Sequence, residues 1–289
     1  MRLKRTAVAV LISLLILGGI LTGCEPDSKT TTPPTIPTTE DIGLSAVWCQ
    51  EIVWDFKDIQ PGKIPDNLTK NDSSKTGGEF DVSEYFSVLK HLSMEKGYVL
   101  DYVYSFDGMG GGPILYVRPE NQEPYKNYEE FAKAANQFQR PENDNSLVWM
   151  VMGETSGKSG NKIKIDGTNE GFFEYTVLQM LGEQFYLFWH ANYNDADIIC
   201  EVSAIEDVIV SIENSGLEPI TNGFKKDARK LNVKPIVEIN GDMVTVKLVV
   251  FSKWGGFSRF SYTMYRNYPH MVIGFQDEVL LEYECGMMF

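Results

Sequence analysis

Residues Pro235 to Phe251 read PIVEINGDMVTVKLVVF and carry the strongest indication of the fold class. Asn240-Gly241 lies near its centre, and Asn-Gly between two β-prone segments is the strongest short-range signal for a two-residue hairpin turn. One face of the second segment is apolar, because every other residue is aliphatic: Val244, Val246, Leu248 and Val250. The stretch therefore predicts two adjacent antiparallel strands with one face turned toward a core.

Similar patterns recur on both sides of this hairpin. A glycine turn at Lys253–Phe257 (KWGGF) leads into SRFSYTMYR, and a last strand is predicted at Glu278–Cys285. Upstream, Tyr98–Arg118 predicts a hairpin that turns at Gly108–Gly112. Residues Phe172–His190, which read FFEYTVLQMLGEQFYLFWH, predict another hairpin that turns near Gly182-Glu183.

Three segments carry the signals of amphipathic helices. Each combines a capping residue, an acidic residue three positions later and an apolar stripe at i, i+3, i+4 and i+7. These segments are Asp81–Gly97, Asn127–Phe138 and Ser203–Gly216. Hairpins interleaved with few helices predict an α+β fold, mainly antiparallel sheet built of hairpins with about three amphipathic helices. A sub-boundary is possible near residues 216–233, where the periodic pattern breaks.

The N-terminus has the composition of a secretion signal. Three basic residues precede Ala7–Leu21, which is fifteen residues without a charge. That length suits a signal-peptide core and falls short of the roughly 20 residues that a spanning helix needs. The segment ends in Leu21-Thr22-Gly23-Cys24.

This order of features resembles the lipobox of bacterial lipoproteins. The resemblance covers the first 24 residues only and implies that residues 1–23 are removed and that Cys24 carries a diacylglycerol. We expect the mature protein to be lipid-anchored at the cell membrane, on its extracytoplasmic face. The alternative is an ordinary secretory signal, or an uncleaved membrane helix, with a chance cysteine.

Residues 24–42 are expected to be the lipidated cysteine and a linker. The segment 25–41 reads EPDSKTTTPPTIPTTED, which is too rich in Pro and Thr and too poor in apolar residues to build a core. It therefore predicts an extended spacer, followed by an extracytoplasmic domain over residues 43–289.

The charge balance restricts the partners. The chain has 26 basic and 40 acidic side chains, and three of the basic ones lie in residues 1–23, so the mature chain carries a net charge of −17. Such a chain is not expected to bind nucleic acid or to lie on anionic lipid. The partners expected are the membrane, through the anchor on Cys24, and an envelope protein, a glycan or a small molecule.

The remaining cysteines are Cys49, Cys200 and Cys285. Their spacing, and that of the three histidines, matches no known zinc motif, so we predict no metal and no cofactor. Two alternatives fit these three cysteines. Outside the cytoplasm two of them can form a disulfide and leave one thiol, or all three are buried thiols.

Catalytic motifs of the common hydrolases and a dinucleotide fingerprint are absent from the sequence. The candidate acid–base residues are His190, Asp195 and Asp197, within HANYNDADIIC, with Cys200 as a conceivable thiol nucleophile. The opposing interpretation is a polar loop followed by a core-facing cysteine.

Two features suggest ligand binding. Gly110 and Gly111 belong to the glycine cluster DGMGGGP, which lacks the Lys and the following helix of a phosphate loop but can line a cleft. Trp254, in the KWGGF turn, is the aromatic residue that we expect to be exposed. Together these observations favour a non-catalytic binding domain on a tethered lipoprotein. The alternative is an extracytoplasmic hydrolase with a site near His190, Asp195 and Asp197.

Overall fold

A computed structural model describes residues 43–70, 74–135, 162–189, 196–283 and 285–286. Within them the chain forms six α-helices: α1 (Ala46–Asp58), α2 (Tyr85–Val88), α3 (Tyr128–Ala135), α4 (Asn169–Leu181), α5 (Val202–Ser215) and α6 (Asn222–Ala228). The same residues form ten strands: β1 (Leu92–Met94), β2 (Tyr98–Phe106), β3 (Gly110–Pro119), β4 (Ile163–Ile165), β5 (Phe188–Trp189), β6 (Asp197–Ile199), β7 (Ile236–Asn240), β8 (Met243–Ser252), β9 (Gly256–Tyr265) and β10 (Val272–Leu281). Every pairing among these strands is antiparallel, so the predicted α+β class is confirmed.

The predicted hairpin at Asn240-Gly241 is present and lies in the largest sheet. Asn240 pairs with Met243, and Gly241 takes a φ of 60°, which glycine adopts without strain. The sheet runs β10-β9-β8, and the far side of β8 pairs with both β7 and β6. β8 is therefore the central strand.

The two faces of the large sheet belong to two hydrophobic clusters. The main cluster takes the predicted aliphatic face of β8 together with apolar residues of α1 and α4. The second cluster takes Val249 and Phe251, which alternation places on the opposite face, together with residues of α5 and α6. Residues 216–233 contain α6 and supply Ala228 and Val233 to this second cluster.

Two smaller sheets complete the description. The predicted hairpin at 98–118 is confirmed, because β2 and β3 pair along their length. Its turn is shorter than predicted, since Gly110–Gly112 already belong to β3. β5 pairs with the start of β3. β1 pairs with β4.

The hairpin predicted over Phe172–His190 is wrong, since most of it is helix α4. Nine of its thirteen residues are buried and the other four are partly buried, so apolar residues lie on all sides of the helix and form no single stripe. Thr168 caps the helix by accepting a hydrogen bond of 3.0 Å from the Gly171 N–H. A buried helix and a buried strand cannot be told apart by periodicity, and the cap was the signal that separated them.

The helix predicted over Asp81–Gly97 is also only partly correct. A 3-10 turn and α2 occupy Val82–Val88, and the chain then enters β1. The N–H of His91 donates to the Glu174 carboxylate at 2.8 Å instead of to a helical carbonyl. A contact with a distant side chain thus ends the helix early.

The other two helix predictions hold in outline. Asn127 accepts from the Glu130 N–H at 2.9 Å and caps α3, whose predicted last residues lie outside the described part. α5 begins one residue before the predicted cap, and Glu206 binds Arg229 rather than the helix N-terminus. Helices α1 and α6 were not predicted.

The last strand, β10, begins six residues before its predicted start at Glu278. Among the described residues, no helix has the length and apolar character needed to cross a membrane.

Candidate functional site

The structure describes only one of the three predicted acid–base residues. His190 and Asp195 lie outside the described residues, and Asp197 begins β6. The Asp197 carboxylate forms an ion pair with Lys57 of α1, and both side chains are about two-fifths exposed: 41% and 39%. Across the described ranges there is no group of three His, Cys, Asp or Glu side chains that could hold a metal ion.

Cys200, the conceivable nucleophile, lies in the main cluster with no exposed surface. Burial, together with the adjacent Cys49 side chain, raises the pKa of its thiol well above the ordinary value. A buried thiol of raised pKa is a poor nucleophile, which agrees with the core-facing interpretation.

The two candidate glycines lie at the start of β3, where Gly110 pairs with Trp189 and Gly111 with Phe188. Gly111 is required by packing, because a Cβ atom there would lie 2.9 Å from the Tyr104 hydroxyl. Beside Gly110, Met109 is 59% and Trp189 is 55% exposed. The glycine turn therefore brings two exposed apolar side chains to one end of the β2-β3-β5 sheet.

Trp254 does not stand out into solvent as expected. It is half-buried and packs against the second hydrophobic cluster in the turn between β8 and β9. Its backbone N–H donates to the Ser252 hydroxyl at 3.1 Å. The indole contributes to this core as well as to the surface.

The structure brings together an acid–base pair that the sequence did not predict. The His91 Nδ1 atom lies 2.7 Å from Asp166 Oδ2, and the Thr168 hydroxyl donates to Asp166 Oδ1 at 2.6 Å. The His91 ring also meets the Trp48 ring edge-to-face, with centroids 6.2 Å apart. About one third of the His91 side chain is exposed, so solvent reaches this pair.

The charges around this pair raise the pKa of His91. Partial burial alone would lower it, but the hydrogen bond to Asp166 and the charges of Glu174, Asp166 and Glu170 outweigh burial. Burial likewise would raise the pKa of Asp166, yet hydrogen bonds from Thr168 and His91 hold it below its usual value. The pair therefore favours an imidazolium–carboxylate state over a wide pH range.

Glu174, on α4, is the third group of this site. Only 1% of the residue is exposed. Burial raises the pKa of its carboxyl to about 7, although the hydrogen bond from the His91 N–H and the charge of His91 both lower that pKa. A carboxyl that titrates near neutral pH beside a His–Asp pair has the properties of a proton donor or acceptor. Sequence reasoning missed it because Glu174 lay in a predicted strand and His91 in a predicted helix.

A second feature of the surface is the outer edge of the large sheet. Among the described residues β10 pairs with β9 alone, which leaves one side of a ten-residue strand open. Its exposed apolar side chains include Ile273, Phe275 and Val279, which are 40%, 42% and 55% exposed. Long apolar edge strands of this kind are uncommon, because they invite pairing with other chains.

The pairing register between β9 and β10 shows which face of the sheet the exposed side chains of β10 belong to. Phe275 pairs with Tyr262, which belongs to the main cluster, and the two rings lie 5.0 Å apart. Asp277 and Val279 are at the next two positions on the same face of the strand. The core face of the sheet thus continues onto β10 as an exposed apolar, acidic, apolar series, which we call the β10 ledge (Phe275, Asp277 and Val279).

In comparisons with known proteins, the chain matches no protein family, no curated protein and no solved structure.

Proposed function

We propose that this protein is a membrane-anchored extracytoplasmic lipoprotein, held by the lipid on Cys24, whose domain binds an extended segment of an envelope protein along β10. The observation that carries the proposal is the β10 ledge, an exposed continuation of the core face on an open sheet edge. The spacer at residues 24–42 supports it by giving the edge reach above the membrane.

The backbone of β10 supplies the first part of the binding energy. An extended segment that lies beside an edge strand pairs with its unused N–H and C=O groups, and alternate side chains give specificity. A segment beside β10 would in addition cover Phe275 and Val279, whose exposed apolar surface favours burial.

The charge at the middle of the ledge selects the segment. Asp277 is exposed between two apolar neighbours on its face, whereas Glu278, on the other face, is already paired with Arg259. Opposite charges at facing positions of paired strands stabilise the pairing and like charges oppose it. The preferred segment therefore reads apolar, basic, apolar at alternate positions, and the acidic mature chain attracts it.

Synthetic peptides test this function. Three ten-residue fluorescent peptides would be titrated against the purified mature protein: one alternating Val-x-Lys-x-Val, one with Glu in place of Lys, and a scrambled one. We expect the lysine peptide to bind about fivefold more tightly than the glutamate peptide, which corresponds to roughly 1 kcal/mol for the facing charge pair.

The variant Asp277→Lys should invert this preference. Asp207→Lys makes the same change of charge at an exposed position of α5 and should leave the order unchanged. Equal binding of all peptides, or an order that Asp277→Lys does not alter, contradicts binding at the ledge. Hydrogen exchange of the β10 amides should slow when the lysine peptide is bound.

A second function is favoured by the raised pKa of Glu174 beside the His91–Asp166 pair. In this alternative the protein is an extracytoplasmic hydrolase, and the His91 imidazolium acts as the general acid. The predicted centre at His190, Asp195 and Asp197 remains a separate proposal.

Turnover of chromogenic esters, phosphomonoesters and glycosides would be measured for the wild type, His91→Ala and His190→Ala. Loss of turnover in only one of the two variants identifies the centre. Absence of turnover in the wild type on every substrate contradicts both centres for these classes.

A further inference from the structure

Cys49 and Cys200 meet in the main hydrophobic cluster, although they are far apart in sequence. Cys49 lies on α1 and Cys200 directly follows β6, and neither has any exposed surface. The Cys49 side chain lies close enough to Cys200 to be among the groups that raise the pKa of the Cys200 thiol. Both are thiols in this structure.

Two further contacts hold α1 against β6 at this point. The Gln50 side chain accepts a hydrogen bond of 2.8 Å from the backbone N–H of Cys200. Lys57, two turns further along α1, forms its ion pair with Asp197 at the start of β6. The helix and the strand are thus held together at the two cysteines and again two turns further along α1.

We infer that Cys49 and Cys200 form a disulfide in the mature protein and that Cys285 remains a thiol. Cys285 lies in the second cluster, with a separate set of neighbours. The sulfur of Cys24 would be occupied by the lipid. The inference rests on the proposed extracytoplasmic location, where disulfides persist, and it is independent of the β10 ledge.

The chemistry is a two-electron oxidation. The two thiols lose two protons and two electrons, and one S–S bond forms between the Sγ atoms. A protein or small-molecule disulfide oxidant accepts the electrons, and its own disulfide is cleaved to two thiols. Because the folded core excludes solvent from both sulfurs, the exchange takes place while the chain is folding.

The bond would close a loop of about 150 residues, which strongly restricts the unfolded chain. We therefore expect reduction to lower the melting temperature by roughly 5–10 °C. The same loss is expected for Cys49→Ser and Cys200→Ser, whereas Cys285→Ser retains the disulfide and its sensitivity to reductant.

The experiment counts thiols in the mature protein purified from membranes after acid quenching. The denatured protein would be alkylated with N-ethylmaleimide before and after reduction, and its mass and peptide map measured. We expect one labelled cysteine, Cys285, before reduction and three after it. Three labelled cysteines before reduction, or a bridge that includes Cys285, overturns the inference.

If the disulfide is absent from protein purified from cells, refolding of the reduced chain in a glutathione redox buffer shows why. If the Cys49–Cys200 bridge forms there but is absent in protein from cells, the extracytoplasmic location is wrong. If it forms in neither, the two sulfurs do not come within bonding distance, and the inference is overturned. Peptide binding at the β10 ledge is read out separately in both cases.

Discussion

The Glu174 carboxylate accepts a hydrogen bond of 2.8 Å from the backbone N–H of His91, which lies 83 positions earlier in the chain. This contact joins α4 to the segment between α2 and β1. It ends a helix that local sequence signals would continue, and it places a buried carboxyl beside the His91–Asp166 pair. One hydrogen bond therefore affects both the fold and the candidate site.

Glu174 should make stability depend on pH. Its pKa is about 7 in the folded protein, above the ordinary 4.5, so between these values the folded state binds more protons than the unfolded state. The free energy of unfolding therefore falls as pH rises through 7, by about 2–3 kcal/mol from this group. Urea unfolding of Glu174→Gln, which keeps an acceptor oxygen, should show a flatter slope from pH 5 to 8.

The exposed Glu51 on α1 supplies a control. Glu51→Gln should leave the wild-type slope unchanged. A Glu174→Gln protein with the wild-type slope would show that Glu174 does not titrate near neutrality.

Asp166 should control the protonation of His91. Its hydrogen bond and charge raise the pKa of His91 against partial burial, so Asp166→Asn should lower that pKa. An NMR titration of the imidazole protons measures the change. Glu170→Gln removes only one of the contributing charges and should give a smaller decrease, and an unchanged His91 pKa in Asp166→Asn would argue against the pair.

Gly111 should tolerate no side chain. The Tyr104 hydroxyl would lie 2.9 Å from a Cβ atom added at this position, so Gly111→Ala should cost about 1–3 kcal/mol of unfolding free energy. Gly112→Ala is the matched comparison, since its Cβ would meet Leu187 at an acceptable 3.4 Å. Thermal or urea unfolding should rank Gly112→Ala above Gly111→Ala, and the reverse order contradicts the packing argument.

Cys24 should determine membrane attachment. A single acyl chain binds a bilayer only marginally, and two chains on one residue bind it stably, so Cys24→Ala should leave the membrane fraction or stay unprocessed. Fractionation and the mass of the mature protein measure this. A mature, membrane-bound Cys24→Ala protein would rule out the lipid anchor.

Sequence reasoning worked best where the signal was local. The Asn240-Gly241 hairpin and the hairpin over 98–118 follow from turn chemistry and alternation, and both are present. It failed for α4, because a helix buried on all sides carries no stripe, and for residues 89–97, because a distant carboxylate captures the His91 N–H. α1 was missed although Ser45 caps it and Cys49, Val53 and Phe56 are buried at helical spacing.

The candidate site was beyond local signals. His91, Asp166 and Glu174 come from three separate segments, and no spacing in the chain links them. The exposure of the β10 ledge also cannot be predicted from the sequence. Its residues have the pattern of any half-buried strand, and only the packing of the rest of the chain determines which of them are exposed.

The α+β class, the central hairpins and the expectation of a tethered lipoprotein follow from local sequence, because turns, alternation and signal segments depend on neighbouring residues. The His91–Asp166–Glu174 group, the Cys49–Cys200 contact and the open edge of β10 come from the folded structure. Burial, pKa and pairing depend on which distant segments pack together, and that packing is a property of the whole chain.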